Sequence, residues 1–459
     1  MTEVTAATQH AGPGSVLRSN RGFRVLLRGS SVSMLGSRVS TLAFPLLVLA
    51  LTGSPIVAGW ACFAATMPSF LFYLPAGALV DRAEDPRRAM LFSEIARGVA
   101  VALIVVMILT HQSVVALTVL AAVEEILEVF SVLAERRFVR ALVKPDQVAS
   151  ALASSEGRTH MVVLVGRPLG GFLFGVWRIL PFSFDVASFF VSVGSLLYVK
   201  NEPRYTAAEP VASRNLATEI SDGFRWLRQY RFAGLALPLT AGATFIGQAL
   251  IMVFLAEAHL RHLSPFYTGV VLAASGAGGA AASVAGWRLP PWRSHSPLKI
   301  QMLIWAAALL ILALLGGESI IALAVTMAIL GFTGALGNIA VDTYVIQNTA
   351  EKNTLARVMS VSRMASFGAL ALGPLFGGVL VARGGPQHAV FALFSVTMLL
   401  FAVAVTALPS AAQMVSGGGE GLRGQPRTRM RRSPALTRAS MAQPPCHVRV
   451  LAQTGDHDD

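Results

Sequence analysis

Long apolar runs alternate with short charged stretches along this chain, and the alternation predicts its architecture. Residues 56–80 contain no Asp, Glu, Lys or Arg, and neither do residues 98–123. Between them lies Gly77-Ala-Leu-Val-Asp-Arg-Ala-Glu-Asp-Pro-Arg-Arg-Ala-Met-Leu91, a stretch dense in charge. A spanning helix needs about 20 mostly apolar residues, and a polar loop cannot lie in hydrocarbon. On that rule twelve helices are predicted, at 29–51, 56–79, 89–110, 113–133, 159–177, 182–199, 233–256, 266–286, 298–315, 319–343, 358–381 and 388–408.

The basic residues orient them. Alternate connections carry Arg18 to Arg28, then Arg82, Arg87 and Arg88, then Arg136 to Arg158, and so on to Lys352, Arg357 and Arg363. The remaining connections hold only Arg178, Arg261 and Arg383. Short Lys/Arg-rich loops stay in the cytoplasm, so both termini are expected there, in a multi-pass protein of the cell membrane. The longest inner connection falls midway, and Ile220, Phe224 and Leu227 within it repeat at helical spacing, as in an amphipathic helix lying on the membrane face.

The expected organisation is therefore a cytoplasmic tail (1–28), a six-helix bundle (29–199), a cytoplasmic linker (200–232), a second six-helix bundle (233–408) and a basic, disordered cytoplasmic tail (409–459). That tail could touch anionic lipid. The fold class is an all-α membrane protein of twelve transmembrane helices in two pseudo-symmetric six-helix bundles. The pseudo-symmetry shows in Gly166-Arg-Pro-Leu-Gly-Gly171 of the fifth segment and Gly373-Pro-Leu-Phe-Gly-Gly378 of the eleventh.

Composition agrees. Hydrophobic residues make up 54% and charged residues only 13%, where a soluble domain carries about 25% charged. The net charge of +13 comes from basic residues placed between apolar runs, so it does not point to nucleic acid. Residues 1–22 are polar, and no cleavable signal peptide is expected. Cys62 and Cys446 make no disulfide framework, and the nine histidines show no ligand spacing, so neither metal nor cofactor is expected. No phosphate-binding loop and no constellation of an enzyme is present in the sequence.

Gly77-x-Leu79-x-Asp81-Arg82 followed by Arg87-Arg88 resembles the signature loop of the major facilitator superfamily. Gly-Pro-x-x-Gly-Gly at 373–378 is similar to the helix motif of its drug antiporters. The stretch 134–152, Pro181-Phe-Ser-Phe-Asp-Val-Ala-Ser-Phe189 and Gly223-Phe-Arg-Trp-Leu resemble its macrolide-efflux and siderophore-exporter branch. The chain departs from the pattern at Glu84, usually Gly, and at Arg167, often Pro. Its fourth segment carries glutamates in place of an arginine motif. The resemblance implies an inner gate built on Gly77, Asp81, Arg82, Arg87 and Arg88, to which Asp342 at the inner end of the tenth segment is added, with Asp81 bracing helices 2 and 11. It also implies a central cavity ringed by helices 1, 4, 7 and 10. Gly166, Pro168, Gly170, Gly171, Gly373, Pro374, Gly377 and Gly378 are read as a close-packing and bending motif.

Charges inside hydrocarbon are functional-site hypotheses by default. Glu124, Glu125 and Glu128 fall within one arc of the fourth helix, with Arg38 at the depth of the first two. Glu94, Arg97 and Arg167 share a second layer with Glu128, as intramembrane ion pairs. Gln248 and Asn338 are the polar groups at useful depth in the second half. Two readings stand. In one, a midplane glutamate takes up and releases a proton in competition with substrate. In the other, the charges only hold helices together. The expected function is a secondary active exporter of hydrophobic or amphiphilic small molecules (drugs, secondary metabolites or siderophores), proton-coupled, monomeric, working in the lipid bilayer by alternating access. An uptake carrier or uncoupled facilitator of the same fold, and a transport-inactive sensor, are the alternatives.

Overall fold

The computed structural model describes residues 20–110, 113–144, 147–199, 231–286, 296–315, 320–348 and 352–407. The linker helix predicted at 217–232 falls almost wholly outside these residues, and the basic tail from 409 wholly so. Eleven helices follow in order: α1 (Arg21–Thr52), α2 (Pro55–Arg82), α3 (Pro86–Thr110), α4 (Val114–Leu142), α5 (Val148–Val176), α6 (Leu180–Tyr198), α7 (Arg231–Leu260), α8 (Pro265–Gly286), α9 (Ser296–Leu314), α10 (Ile320–Asn348) and α11 (Lys352–Ala407). The last is broken at one residue, Gly385, whose φ of 78° and ψ of 173° turn the chain. Its two limbs are the predicted eleventh and twelfth helices, so a connection expected over 382–387 shrinks to a single glycine that tolerates positive φ.

Several helices outrun their predicted spans, because hydropathy marks only the part that crosses hydrocarbon. α1 begins at Arg21, eight residues before the predicted start, where the Asn20 side chain accepts a hydrogen bond from the Phe23 amide and caps the first turn. α4 continues to Leu142, past Arg136, Arg137 and Arg140. The opening charged stretch is not the loop it was predicted to be. α2 runs through Asp81 and Arg82, and only residues 83–85 are non-helical. Asp85 Oδ1 accepts from the amides of Arg87 at 2.9 Å and Arg88 at 3.4 Å and so starts α3. At the other end, Gly53 closes α1 in the left-handed conformation with its amide on the Leu49 carbonyl, and Ser54-Pro55 opens α2.

In the first half α1 packs on α5 and α6, α3 on α4 and α6, and α2 on α4. In the second, α7 packs on α11, α8 on α10, and α9 on α10 and α11. The halves meet where α5 crosses α8 and where α2 crosses α11. Among the described residues, eight helices are long and apolar enough to cross a membrane. α4 carries its three glutamates in the window that would qualify it. Phe92, Val115, Phe190, Ile321 and Leu399 are exposed on the outer surface, a belt that calls for lipid rather than water.

The two ends differ. At the end away from the arginines, one apolar cluster joins both halves: Leu47, Val48 and Leu49 of α1 are fully buried, together with Val253, Phe254, Leu255 and Ala256 of α7. At the end carrying Arg82, Arg87, Arg137 and Arg140, the buried cluster (Phe23, Leu26, Met90, Phe138 and Leu196 among others) consists, among the described residues, of first-half residues.

Candidate functional site: a charged cavity between the halves

A cavity of about 220 Å³ lies on the arginine side of this seal. Its first-half wall is mixed: Ser37, Arg38, Ser40, Thr41, Glu124, Glu125, Arg167 and Asp185 stand among apolar residues that include Leu42, Phe44, Val101, Ile104 and Phe182. Its second-half wall is Gln248, Ile251, Met252, Leu255, Leu272, Leu370 and Pro374, apolar but for Gln248. Thr41, on this first-half wall, is exposed.

Arg97 organises the charged wall. It is 4% exposed and touches four helices. Its Nη1 is 3.3 Å from Glu94 Oε1 on its own helix, and its Nη2 is 2.8 Å from Glu124 Oε1 and 3.4 Å from Glu128 Oε2 on α4. The same Nη2 donates to Ser37 Oγ of α1 at 2.8 Å, and the guanidinium stands 4.9 Å from the Phe189 ring centroid of α6. Glu94 in turn accepts from Ser33 Oγ at 2.8 Å and Ser131 Oγ at 2.6 Å. Arg38 Nη2 reaches Glu128 Oε1 at 2.9 Å. The two layers predicted from depth are therefore one network, because a guanidinium presents five donors and spans about one helical turn.

Three expectations need correction. Arg167 does not pair with Glu128: its Nη1 donates to the Leu272 carbonyl of α8 at 2.8 Å and to Ser275 Oγ. Arg38 takes Glu128 instead, and Arg167 crosses to the other half. Asn338 is exposed and does not line the cavity. Its neighbour Gly337 faces Gln301 of α9, and a polar residue on a long helix is placed by that rotation, which depth alone does not set. Glu128 also stands behind the cavity wall, held between the two arginines.

Glu125 is different from its neighbours. Its Oε2 accepts from the buried Ser69 Oγ of α2 at 3.0 Å, and no guanidinium lies within 4.0 Å of it among the described residues. Glu124, Glu125 and Glu128 each place an oxygen within 4.8 Å of the others. A divalent ion could sit there only by displacing the arginines that already neutralise two of them.

Asp185 was missed as a site residue. It was noticed only as part of a family-like stretch, yet it is a charge within the apolar run 182–199, the same signal that marked Glu124. It is 1% exposed, lines the cavity, and its Oδ2 has no hydrogen-bond partner.

The glycine motifs mark helix crossings. A Cβ on Gly166 would stand 2.9 Å from Arg38 Cβ, and one on Gly170 2.9 Å from the Val39 carbonyl. A Cβ on Gly373 would stand 2.6 Å from Gln248 Cβ, while Gly377 meets the Ala249 carbonyl. Gly171 meets the Pro265 carbonyl of α8 and Gly378 the Pro55 carbonyl of α2. Pro168 and Pro374 sit inside α5 and α11.

The sequence profile described as Major Facilitator Superfamily matches residues 26–351. The chain belongs to the Major Facilitator Superfamily. It is a multi-pass membrane transporter of a small-molecule substrate, and not an enzyme. It is 26% identical over 404 residues to the uncharacterized MFS-type transporter y4rN of Sinorhizobium fredii, covering 86% of this chain and 96% of that one. It is 25% identical over 386 residues to the multidrug efflux pump Tap of Mycolicibacterium fortuitum, covering 82% and 92%. Among solved structures its fold is similar to the nucleoside transporter NupG, with a TM-score of 0.66, 12% identity and 84% and 99% of the two chains covered. It is also similar to a bacterial homologue of the lysosomal transporter Spinster in an inward-facing, unoccupied conformation, with a TM-score of 0.56, 16% identity and 91% and 99% covered.

In this superfamily member three residues of the signature segment are open or exposed. A Cβ on Gly77 would meet nothing within 4 Å, and Arg82 and Arg88 are exposed. Arg87 works within the first half: its Nε and Nη2 donate to the Leu196 and Leu197 carbonyls, at 2.8 and 3.1 Å, and close the C-terminus of α6. The side chains of Asp81 and Asp342 lie outside the described part of the structure. Toward this end Tyr73 of α2 packs against Phe367 of α11, with ring centroids 5.2 Å apart.

Proposed function

We propose that this transporter exports hydrophobic or amphiphilic molecules in exchange for protons, by alternating access, and that the cavity is its substrate site. The observation that carries the reading is the uneven charge of the cavity: its carboxylates and guanidiniums all stand on the first-half wall, among Phe44, Ile104 and Phe182, while the second-half wall offers Ile251, Met252, Leu255 and Leu272. An amphiphile satisfies both walls at once, with its apolar body on the second half and its polar or cationic head on the first. The 25% identity to a multidrug efflux pump agrees with this.

Glu125 is the proton carrier in this reading. Glu94, Glu124 and Glu128 are held by Arg97 and Arg38, whereas Glu125 lines the cavity with only the Ser69 hydroxyl as partner among the described residues. A proton or a cationic head bound there exclude one another, which is the coupling an antiporter needs. With the arginine-rich end placed in the cytoplasm, the seal at Leu47–Leu49 and Val253–Ala256 faces outward and the present state is open inward. Both termini, the linker 200–232 and the basic tail are then cytoplasmic, in the cell membrane, and a single chain suffices for the cycle. Closure of the inner gate would bring Gly77, Asp81, Arg82 and Arg88 toward α11, with Asp342 at the inner end of α10.

The test uses inside-out vesicles with an imposed proton gradient, challenged with lipophilic cations, macrolides and siderophores. The expected result is that some compounds dissipate the gradient and that Glu125→Gln abolishes this while compound binding persists. Compound movement with no gradient response moves the uncoupled facilitator ahead. No movement of any compound leaves the sensor reading.

A further inference from the structure

Of the charged side chains that line the cavity, three make no ion pair among the described residues: Glu125, Asp185 and Arg167. Asp185 is 1% exposed, out of a ligand's reach. That leaves one acid, Glu125 of α4, and one cation, Arg167 of α5. The other two guanidiniums of the network are neutralised, Arg38 by Glu128 and Arg97 by Glu94, Glu124 and Glu128. Arg167 has neutral partners alone among the described residues, the Leu272 carbonyl at 2.8 Å and Ser275 Oγ, and both take Nη1. Its Nε and Nη2 make no hydrogen bond among the described residues. Those two nitrogens form one edge of the guanidinium, whose parallel N–H groups match the two oxygens of a carboxylate. The bonds from Nη1 to α8 fix the plane of the group before any ligand arrives.

The charged group that acts on Arg167 is another cation, Arg38 of α1. Arg38 Cβ lies beside Gly166, one residue before Arg167. Glu125 is in the reverse position, with Glu128 and Glu124 crowding it. The cavity is thus positive at Arg167 and negative at Glu125. The superfamily pattern often has Pro at position 167, so the pattern itself does not supply this cation.

A guanidinium with no counter-ion is tolerated while water reaches it. It is not tolerated in a closed cavity, because a charge taken from water without a partner is costly. Alternating access closes the cavity around its cargo, so the cargo has to bring the missing anion. An anion alone fits badly. The charged wall and the network behind it hold Glu94, Glu124, Glu125, Glu128 and Asp185 against Arg38, Arg97 and Arg167, an excess of acids. A cargo with both charges answers both ends.

We propose that the cargo is a zwitterionic amphiphile, with its carboxylate on the Nε–Nη2 edge of Arg167 and its cationic head at Glu125. The inference rests on the export reading and narrows its substrate class. Arg167 selects for the acid, and Glu125 for the cation that trades places with the proton.

The experiment measures binding to the full-length protein in phosphatidylglycerol nanodiscs, which contain no zwitterionic lipid. The probes are N-octyl-N,N-dimethylglycine, its methyl ester and undecanoate, which carry both charges, the cation alone and the anion alone. The expected wild-type affinity for the zwitterion exceeds that for each of the others by about tenfold or more. Arg167→Gln brings the zwitterion-to-ester ratio down to about one, and Glu125→Gln does the same to the zwitterion-to-undecanoate ratio. A residue that only braces the α5–α8 crossing would lower all three affinities together and leave the ratios unchanged. That result overturns the proposal, as does a wild type that binds the ester as tightly as the zwitterion, or binds none of the three. Should Arg167→Gln not fold, Arg167→Lys keeps the charge without the paired donors, and the zwitterion-to-ester ratio falls part-way; an unchanged ratio there is equally fatal. The export reading fails separately, in vesicles whose proton gradient no compound disturbs.

Discussion

The two walls of the cavity come from halves with one plan, and the charged groups stand on only one of them. Gly166 lies against Arg38 as Gly373 lies against Gln248, and Gly170 against Val39 as Gly377 against Ala249. Gly171 meets Pro265 as Gly378 meets Pro55. The glycines are offset by 207 positions and their partners by 210. At this shared backbone position the first half has an arginine and the second a glutamine. Deeper in, the first half is tied by the ionic network on Arg97, and the second by neutral contacts such as Trp305 Nε1 donating to Thr333 Oγ1 at 2.8 Å. The comparison teaches that packing and polarity are written separately. Small residues at the crossings fix how helices approach, and the residue beside each glycine is free to set what the cavity binds.

The largest effect expected from breaking this comparison is at Arg97. Arg97→Leu leaves Glu94 and Glu124 buried without their cation, and a loss of about 3–5 kcal/mol is expected. A thermal unfolding curve in detergent reads it, beside Gln248→Leu, which should shift the midpoint far less. Equal shifts would show that the charged half is not held by its charges.

Next come the crossings. Gly171→Val and Gly378→Val each press a side chain onto a carbonyl of the other half, and overpacking of this kind costs about 1–3 kcal/mol. Because it acts where the halves meet, that energy should favour opening at the seal, read as faster labelling of a cysteine placed beside Phe44. The two variants should behave alike. If one is silent, the symmetry is formal only.

Arg38→Gln makes the first half resemble the second at the paired position. It frees Glu128 from one of its two guanidiniums, and gradient-driven transport should fall about tenfold, equivalent to roughly 1.4 kcal/mol of barrier. Gln248→Ala should change it less, and transport rates in vesicles compare the two directly.

The smallest effect on stability is at Gly77. With nothing within 4 Å of its would-be Cβ, Gly77→Ala should stay within about 0.5 kcal/mol of wild type. If the signature segment meets α11 in the opposite state, turnover should nonetheless drop. Unchanged turnover would remove Gly77 from the gate.

Much of the fold was legible because the bilayer enforces it: twelve apolar runs and their charged connections follow from the cost of polar backbone in hydrocarbon. The charged stretch at 77–91 was misread as a loop because local charge does not stop a helix: α2 runs on through Arg82, and Asp85 starts α3 three residues later. Within the site, Glu124, Glu125 and Glu128 were legible as charges on one arc of a helix. Their partners were not. Arg167 and Asn338 were placed by depth, whereas the rotation of α5 and α10 about their axes decides what each side chain meets.

The sequence by itself determined the number of helices, the two-half plan and the glycine positions where helices cross. These depend on transfer energies and small-residue spacing, which are local or periodic. The tertiary structure alone decided that Arg97 joins four helices, that Glu125 makes no ion pair among the described residues, and that the cavity is sealed at Leu47–Leu49 and Val253–Ala256. Those facts depend on which faces of distant helices meet, and a hydrogen bond or an ion pair exists only within a few ångströms of a partner that the order of residues does not name.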